Sequence, residues 1–145
     1  MLIKATLDTN VLISGLISNK GAPRRIVDAW LADRFTLILS PYLIEELNRV
    51  LSYPRIVQRL RLRDAEVKII LTALLLKATL TPGALQLPGV TRDPKDDPVV
   101  ACAQEGNADY IVSGDQDLLV LEAYEKIRII TPQAFAEILA QASSK

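Results

Sequence analysis

A chain of 145 residues, with 17 Lys and Arg against 17 Asp and Glu and half its residues apolar, has the size of one domain and enough apolar side chains for a core. It has no His and one Cys, Cys102, which excludes a Ser-His-Asp triad, a His-bound zinc and a disulfide framework. Enzymatic chemistry here must come from carboxylates, hydroxyls, Lys or Arg, aided by an oxygen-preferring metal.

Leu2 to Leu7 reads as a strand running into a loop at Asp8-Thr9-Asn10. After Gly21-Ala22-Pro23, a helix over Arg24 to Ala32 places Ile26, Val27, Trp30 and Leu31 on one face, so that Trp30 points to the core. Phe35 to Leu39 is a second strand. Ser40-Pro41 then supplies an N-cap and a first-turn proline for a helix with Leu43, Leu47, Val50 and Leu51 on one side. Pro54 interrupts, and further helix begins near Arg55. Ala65 to Ala78 is an apolar helix with Asp64 and Glu66 near its start, where they complement the helix dipole.

Thr79 to Thr81 is a short strand, and Gln86 to Lys95 a loop. Asp97-Pro98 begins a helix through Glu105 that Gly106-Asn107 ends. Tyr110 to Val112 is a strand, Asp117 to Leu119 a helical turn and Ile127 to Ile130 the last strand. Pro132 opens a final helix to about Ala140. This alternation predicts one α/β domain over residues 1–145 with a mostly parallel sheet, whose ligand site lies at the carboxyl ends of the strands.

The acids sort onto that rim. Asp8 follows the first strand, Asp115 follows Val112, Asp97 starts a helix, and Glu46 lies in the helix after the second strand. Two unit charges 4 Å apart cost about 4 kcal/mol at an effective dielectric of 20, so gathered acids must hold protons or share cations. Mg²⁺ or Mn²⁺ suits such oxygen ligands and activates water without imidazole. Each segment also has a plainer reading, since Asp and Asn cap helices and turns routinely and an exposed helical Glu is ordinarily just solvated. Their convergence on one rim favours the metal reading.

The pattern resembles the PIN-domain ribonucleases, including the toxins of toxin–antitoxin pairs. The resemblance runs through Leu7-Asp8-Thr9-Asn10-Val11-Leu12-Ile13-Ser14, then Ser40-Pro41 to Leu51, then Asp93-Pro94-Lys95-Asp96-Asp97-Pro98 to Ala103, then Ala108 to Leu119. It implies a three-layer α/β/α fold with a five-stranded sheet in the order 3-2-1-4-5, and metal-dependent endonuclease cleavage of single-stranded RNA. The family's acidic quartet falls on Asp8, Glu46, Asp97 and Asp115, with Asp117 as companion and Asn10 and Ser113 as supporting polar positions. Asp8, Asp97 and Asp115 are then the expected metal contacts, and Glu46 a ligand or water-orienting group. Asp97 is preferred over Asp93 and Asp96 because Val99, Val100 and Ala103 set the first turn of its helix at the pocket.

Arg55, Arg59 and Arg63 recur at four-residue spacing and make a candidate RNA-binding face; the plainer reading pairs them with Asp64 and Glu66. Lys20, Arg24 and Arg25 form a second basic group, and Tyr53 is a candidate base or partner contact. The high apolar content points to a homodimer or to a groove for an antitoxin segment, both common among the relatives. No apolar run approaches the ~20 residues of a membrane span, and the N-terminus lacks a secretory layout, so the expectation is a soluble cytoplasmic protein. The competing readings are a non-catalytic RNA-binding or scaffold module, a structure-specific nuclease, and a phosphatase or receiver-like domain, for which no phosphate-handling Lys is evident.

Overall fold

The computed structural model describes residues 2–61 and 64–143. Its strands are β1 (Lys4–Leu7), β2 (Thr36–Leu39), β3 (Thr79–Leu80), β4 (Tyr110–Val112), β5 (Ala123–Tyr124) and β6 (Ile127–Ile130). The helices are α1 (Thr9–Ile17), α2 (Ala22–Leu31), α3 (Pro41–Leu51), α4 (Pro54–Arg61), α5 (Asp64–Lys77), α6 (Asp97–Glu105), α7 (Gln116–Leu119) and α8 (Pro132–Ser143). The sheet order is β3-β2-β1-β4-β6-β5. Its first five members are parallel and reproduce the expected order. The addition is β5, an antiparallel edge strand folded onto β6 through a turn at Glu125-Lys126, with Glu125 at φ 53°.

Strand alternation builds the layers. On β1, the Thr6 hydroxyl meets Cys102 Sγ of α6 at 3.8 Å, so Ala5 and Leu7 face the opposite side. On β2, a Cβ at Gly106, just past α6, would lie 2.5 Å from the Ile38 side chain, so Ile38 faces α6. Buried residues on both faces make this a covered parallel sheet. Burial pushes the Cys102 thiol up to about 11, which makes it a core side chain.

The helix over residues 9–17 is not in the sequence-based reading, which ends β1 in a loop. Val11, Leu12, Ile13, Gly15 and Leu16 of α1 are all buried, and only Asn10 and Ser14 supply a narrow polar edge, too little to mark the helical period. Gly15 permits the close packing of α1 on α2: a Cβ there would lie 2.5 Å from Val27 Cγ2 and 3.0 Å from the Pro23 carbonyl oxygen. Trp30 of α2 is buried as expected, and Lys77 at the end of α5 donates to the Trp30 and Leu31 carbonyls at the end of α2. Phe35 and Phe135 meet edge to face, 5.2 Å between centroids, which ties α8 to the start of β2.

Candidate metal centre

Three parallel strands deliver polar residues to one rim. β1 continues into Asp8, whose amide donates to the Val112 carbonyl at 2.9 Å. β4 ends in Ser113, whose amide donates to the Ile130 carbonyl. β2 ends at Ser40, whose hydroxyl accepts from the Leu43 amide and starts α3. Asp8 and Ser113 are therefore neighbours, and the buried Ser113 hydroxyl donates to Asp8 Oδ2 at 2.8 Å. The Ser113 hydroxyl oxygen in turn accepts from the Asp115 amide at 3.0 Å, and Asp115 Oδ1 accepts from the Asp117 amide at 2.8 Å. Burial raises the Asp8 carboxyl above its usual range; the Ser113 bond opposes this and nearby Asp115 adds to it.

The chain between Asp93 and Asp97 adds the remaining acids. A turn closes from the Asp96 amide to the Asp93 carbonyl at 2.9 Å and sets these two side chains together. Carboxylate oxygens of Asp93, Asp96 and Asp117 all lie within 4.8 Å of one another. Asp96 is buried, and its Oδ2 has no hydrogen-bond partner. Burial, reinforced by Asp115, Asp8, Asp93 and Asp117, pushes its carboxyl up to about 7.

Asp97, the expected member of this cluster, is elsewhere. Its Oδ1 accepts from the Thr91 amide at 2.8 Å and the Thr91 hydroxyl at 2.6 Å, and its Oδ2 from the Gly89 amide at 2.9 Å. Burial acts to raise this carboxyl, but the three bonds outweigh it and hold it below the usual range. Asp97 thus fastens the loop over 89–91. Adjacent residues at a helix start point about 100° apart, so when Asp97 faces that loop Asp96 faces the strand ends.

The other expected residues are placed as follows. Glu46 is half-buried at the edge of the site, with Oε2 accepting from Thr9 Oγ1 at 3.2 Å, and is not among the three clustered acids. Asn10 is exposed in the first turn of α1. Asp117 lies at the centre and pairs with Arg92, a cation at the mouth of the site that the sequence-based reading assigns no role. Arg55 and Arg59 lie exposed on α4, which buries no residue, while Arg63 falls outside the described residues. Asp64 pairs with Lys68, and Glu66 with Arg24, which also pairs with Asp28. Tyr53 is exposed.

The donor set fits a hard divalent cation. Oxygens bound to one Mg²⁺ at 2.0–2.1 Å lie at most about 4.2 Å apart, and the three carboxylates, with oxygens all within 4.8 Å of one another, are near enough to share such an ion. The unpartnered buried oxygen of Asp96 is a ready ligand, and a cation offsets the burial and the neighbouring negative charge that together push Asp96 to hold a proton.

Residues 4–117 match the family model described as PIN domain, PIN_3. The chain is also similar to the uncharacterized protein MJ1680 of Methanocaldococcus jannaschii, with 28% identity over 143 residues, covering 93% of this chain and 90% of that protein.

Proposed function

The chain belongs to the PIN-domain family, whose members are generally nucleases that use divalent metals, and from that premise we propose that it is an Mg²⁺- or Mn²⁺-dependent endoribonuclease acting on single-stranded RNA. One observation carries the reading: Asp96, buried with an unpartnered oxygen, sits among Asp93 and Asp117 and beside Asp8 and Asp115. Asp96, Asp93 and Asp117 would hold the cation, with Asp8 and Asp115 as direct or water-mediated contacts. Asp96 takes the role the sequence assigned to Asp97.

When bound, the cation makes a coordinated water more acidic and neutralises charge growing on a phosphodiester oxygen. The protein supplies the rest. Ser113 fixes the separation of Asp8 and Asp115 through its two hydrogen bonds. Glu46, steadied by Thr9, would orient an attacking water and take up its proton. Arg92 at the mouth supplies positive charge to an approaching phosphate. Arg55 and Arg59 extend that attraction along α4, and Arg63 is proposed with them from the sequence.

A toxin role, held in check by an antitoxin protein, is proposed from the family resemblance. Self-association or capture of such a protein is supported by α5, where Ile69, Leu75 and Leu76 are exposed. Among the described residues no helix is long and apolar enough to cross a membrane.

The deciding experiment incubates end-labelled single-stranded RNA with the protein in Mg²⁺, Mn²⁺ or EDTA, beside Asp96→Asn and Asp8→Asn. Internal cleavage should need the metal and disappear in both variants. Cleavage persisting in EDTA and in both variants would refute the proposal. Binding without cleavage in either metal would leave a non-catalytic RNA-binding module.

A further inference from the structure

A cleft of about 430 Å³ lies on the other side of the Asp93–Asp97 turn from the acids. Its walls are Tyr42, Leu85, Leu87, Pro88, Pro94 and Pro98, mostly apolar surfaces, and Asp97 forms part of its boundary. We propose that this cleft is a base-binding subsite, in which the Tyr42 ring stacks on one unpaired nucleobase next to the phosphodiester held at the acidic centre. The proposal rests on the nuclease reading and adds where the enzyme recognises its substrate.

Three observations carry it. The first is position. Tyr42 and Glu46 are four residues apart on α3 and so share a helical face, and Pro94 and Pro98 flank the acidic turn itself. A chain reaching Glu46 at the edge of the acidic site is therefore one helical turn from the aromatic face. The second is exposure: Tyr42 is 43% exposed, and it is the one aromatic side chain lining this cleft. The third is preorganisation. Glu105, at the end of α6, accepts from the amides of Gly83, Ala84 and Leu85, and Asp97, at its start, accepts from Gly89 and Thr91. The loop is thus fastened on both sides of residues 86–88, and the wall stands formed before anything binds.

The size selects the occupant. The volume falls at the lower end of the roughly 300–1,000 Å³ range of small-molecule pockets, suited to one planar ring system with apolar faces. Tyr42 and the prolines meet such faces, while the exposed Gln86 offers an amide to the polar edge of the base.

The test uses the Asp8→Asn background, so that RNA is bound without being cut, and follows the methyl signals of Leu85, Leu87 and Ala101 by NMR. The probes are hexameric oligoadenylate, hexameric oligouridylate and the matching nucleoside 5′-monophosphates. At least one hexamer should shift these methyls saturably. Tyr42→Ala should weaken that binding about tenfold or more, and Tyr42→Phe should retain it. In the otherwise native enzyme, Tyr42→Ala should raise KM more than it lowers kcat and blur the base preference at the cut. Hexamer binding that leaves these methyls unmoved, no hexamer binding at all, or equal affinity in Tyr42→Ala would each overturn the subsite. Methyl shifts produced by an apolar peptide but by no nucleotide would assign the cleft to a protein partner and overturn it too. Because the shifts are read without cleavage, failure of the nuclease reading appears separately, as native enzyme that binds RNA and leaves it whole.

Discussion

The hydroxyl of Ser113 donates to Asp8 Oδ2 at 2.8 Å while accepting from the amide of Asp115, so one buried oxygen fixes two acids that belong to different strand ends. Removing it frees Asp8 to move away from Asp115 and leaves a buried carboxylate short of a donor. Ser113→Ala should fold, bind Mn²⁺ less tightly and lose about ten- to a hundredfold in cleavage rate, as expected for a misplaced positioning contact. Calorimetric titration with Mn²⁺ and single-turnover cleavage measure both effects. Native affinity and rate would show the hydroxyl to be dispensable.

Asp96 and Asp97 should separate cleanly. Asp96→Asn removes a proposed ligand and should abolish cleavage and Mn²⁺ binding without loss of fold. Asp97→Asn weakens three hydrogen bonds to the loop, of which those to a charged acceptor are worth about 1.5–3 kcal/mol each. It should lower the melting temperature by several degrees, open residues 89–91 to proteolysis and leave Mn²⁺ binding measurable. The reverse pattern would restore Asp97 to the metal centre.

Acid strength gives a stability signature. The Asp96 carboxyl titrates near 7 when folded, against an ordinary 3.8. A raised folded-state value means that the native protein keeps a proton which the unfolded chain has released. The stability so conferred is complete below about pH 4 and is lost as pH rises toward 7. In EDTA the wild type should lose stability between about pH 4 and pH 7 by scanning calorimetry. Asp96→Asn should lose less over that interval, and Mg²⁺ should restore the wild type at the higher pH. Parallel slopes for the two proteins would contradict this account.

On the α4 face, Arg55→Glu with Arg59→Glu should weaken RNA binding and reduce the steepness of its salt dependence by about one to two in log–log slope. Both side chains are exposed, so the fold should be unaffected. Filter binding across a salt series reads the slope, and an unchanged slope would remove α4 from the interface.

Gly15→Ala tests the packing of α1 on α2. The added methyl meets Val27 at 2.5 Å and backbone at Pro23, neither of which can yield cheaply, so a loss of about 1–3 kcal/mol is expected by urea denaturation. A neutral effect would mean that the two helices slide apart without cost.

The sequence spoke most clearly where local chemistry and tertiary packing agree. Ser40-Pro41 marks the start of α3 because the cap and the fixed proline φ act within a few residues. The parallel strands announce themselves as short apolar runs because both of their faces are covered. It was silent for α1, whose polar edge is only Asn10 and Ser14, too narrow to show the helical period, and for β5, whose two residues exist as a strand only through β6. In the site, Asp8, Asp115 and Asp117 were legible as acids following apolar elements. The choice between Asp96 and Asp97 turns on a rotation of one residue, decided by the distant amides of Gly89 and Thr91. Arg92 and Tyr42 carried no signal, because an exposed Arg or Tyr has no periodic neighbours to betray its direction.

Both fastenings of the 83–91 segment hang from one helix, at Asp97 and at Glu105. Residues 86–88 are therefore an interchangeable insert on a rigid frame. If the cleft reads a base as proposed, their replacement would retune which sequence is chosen while the acidic centre stays put, a modularity that separates target choice from the acids.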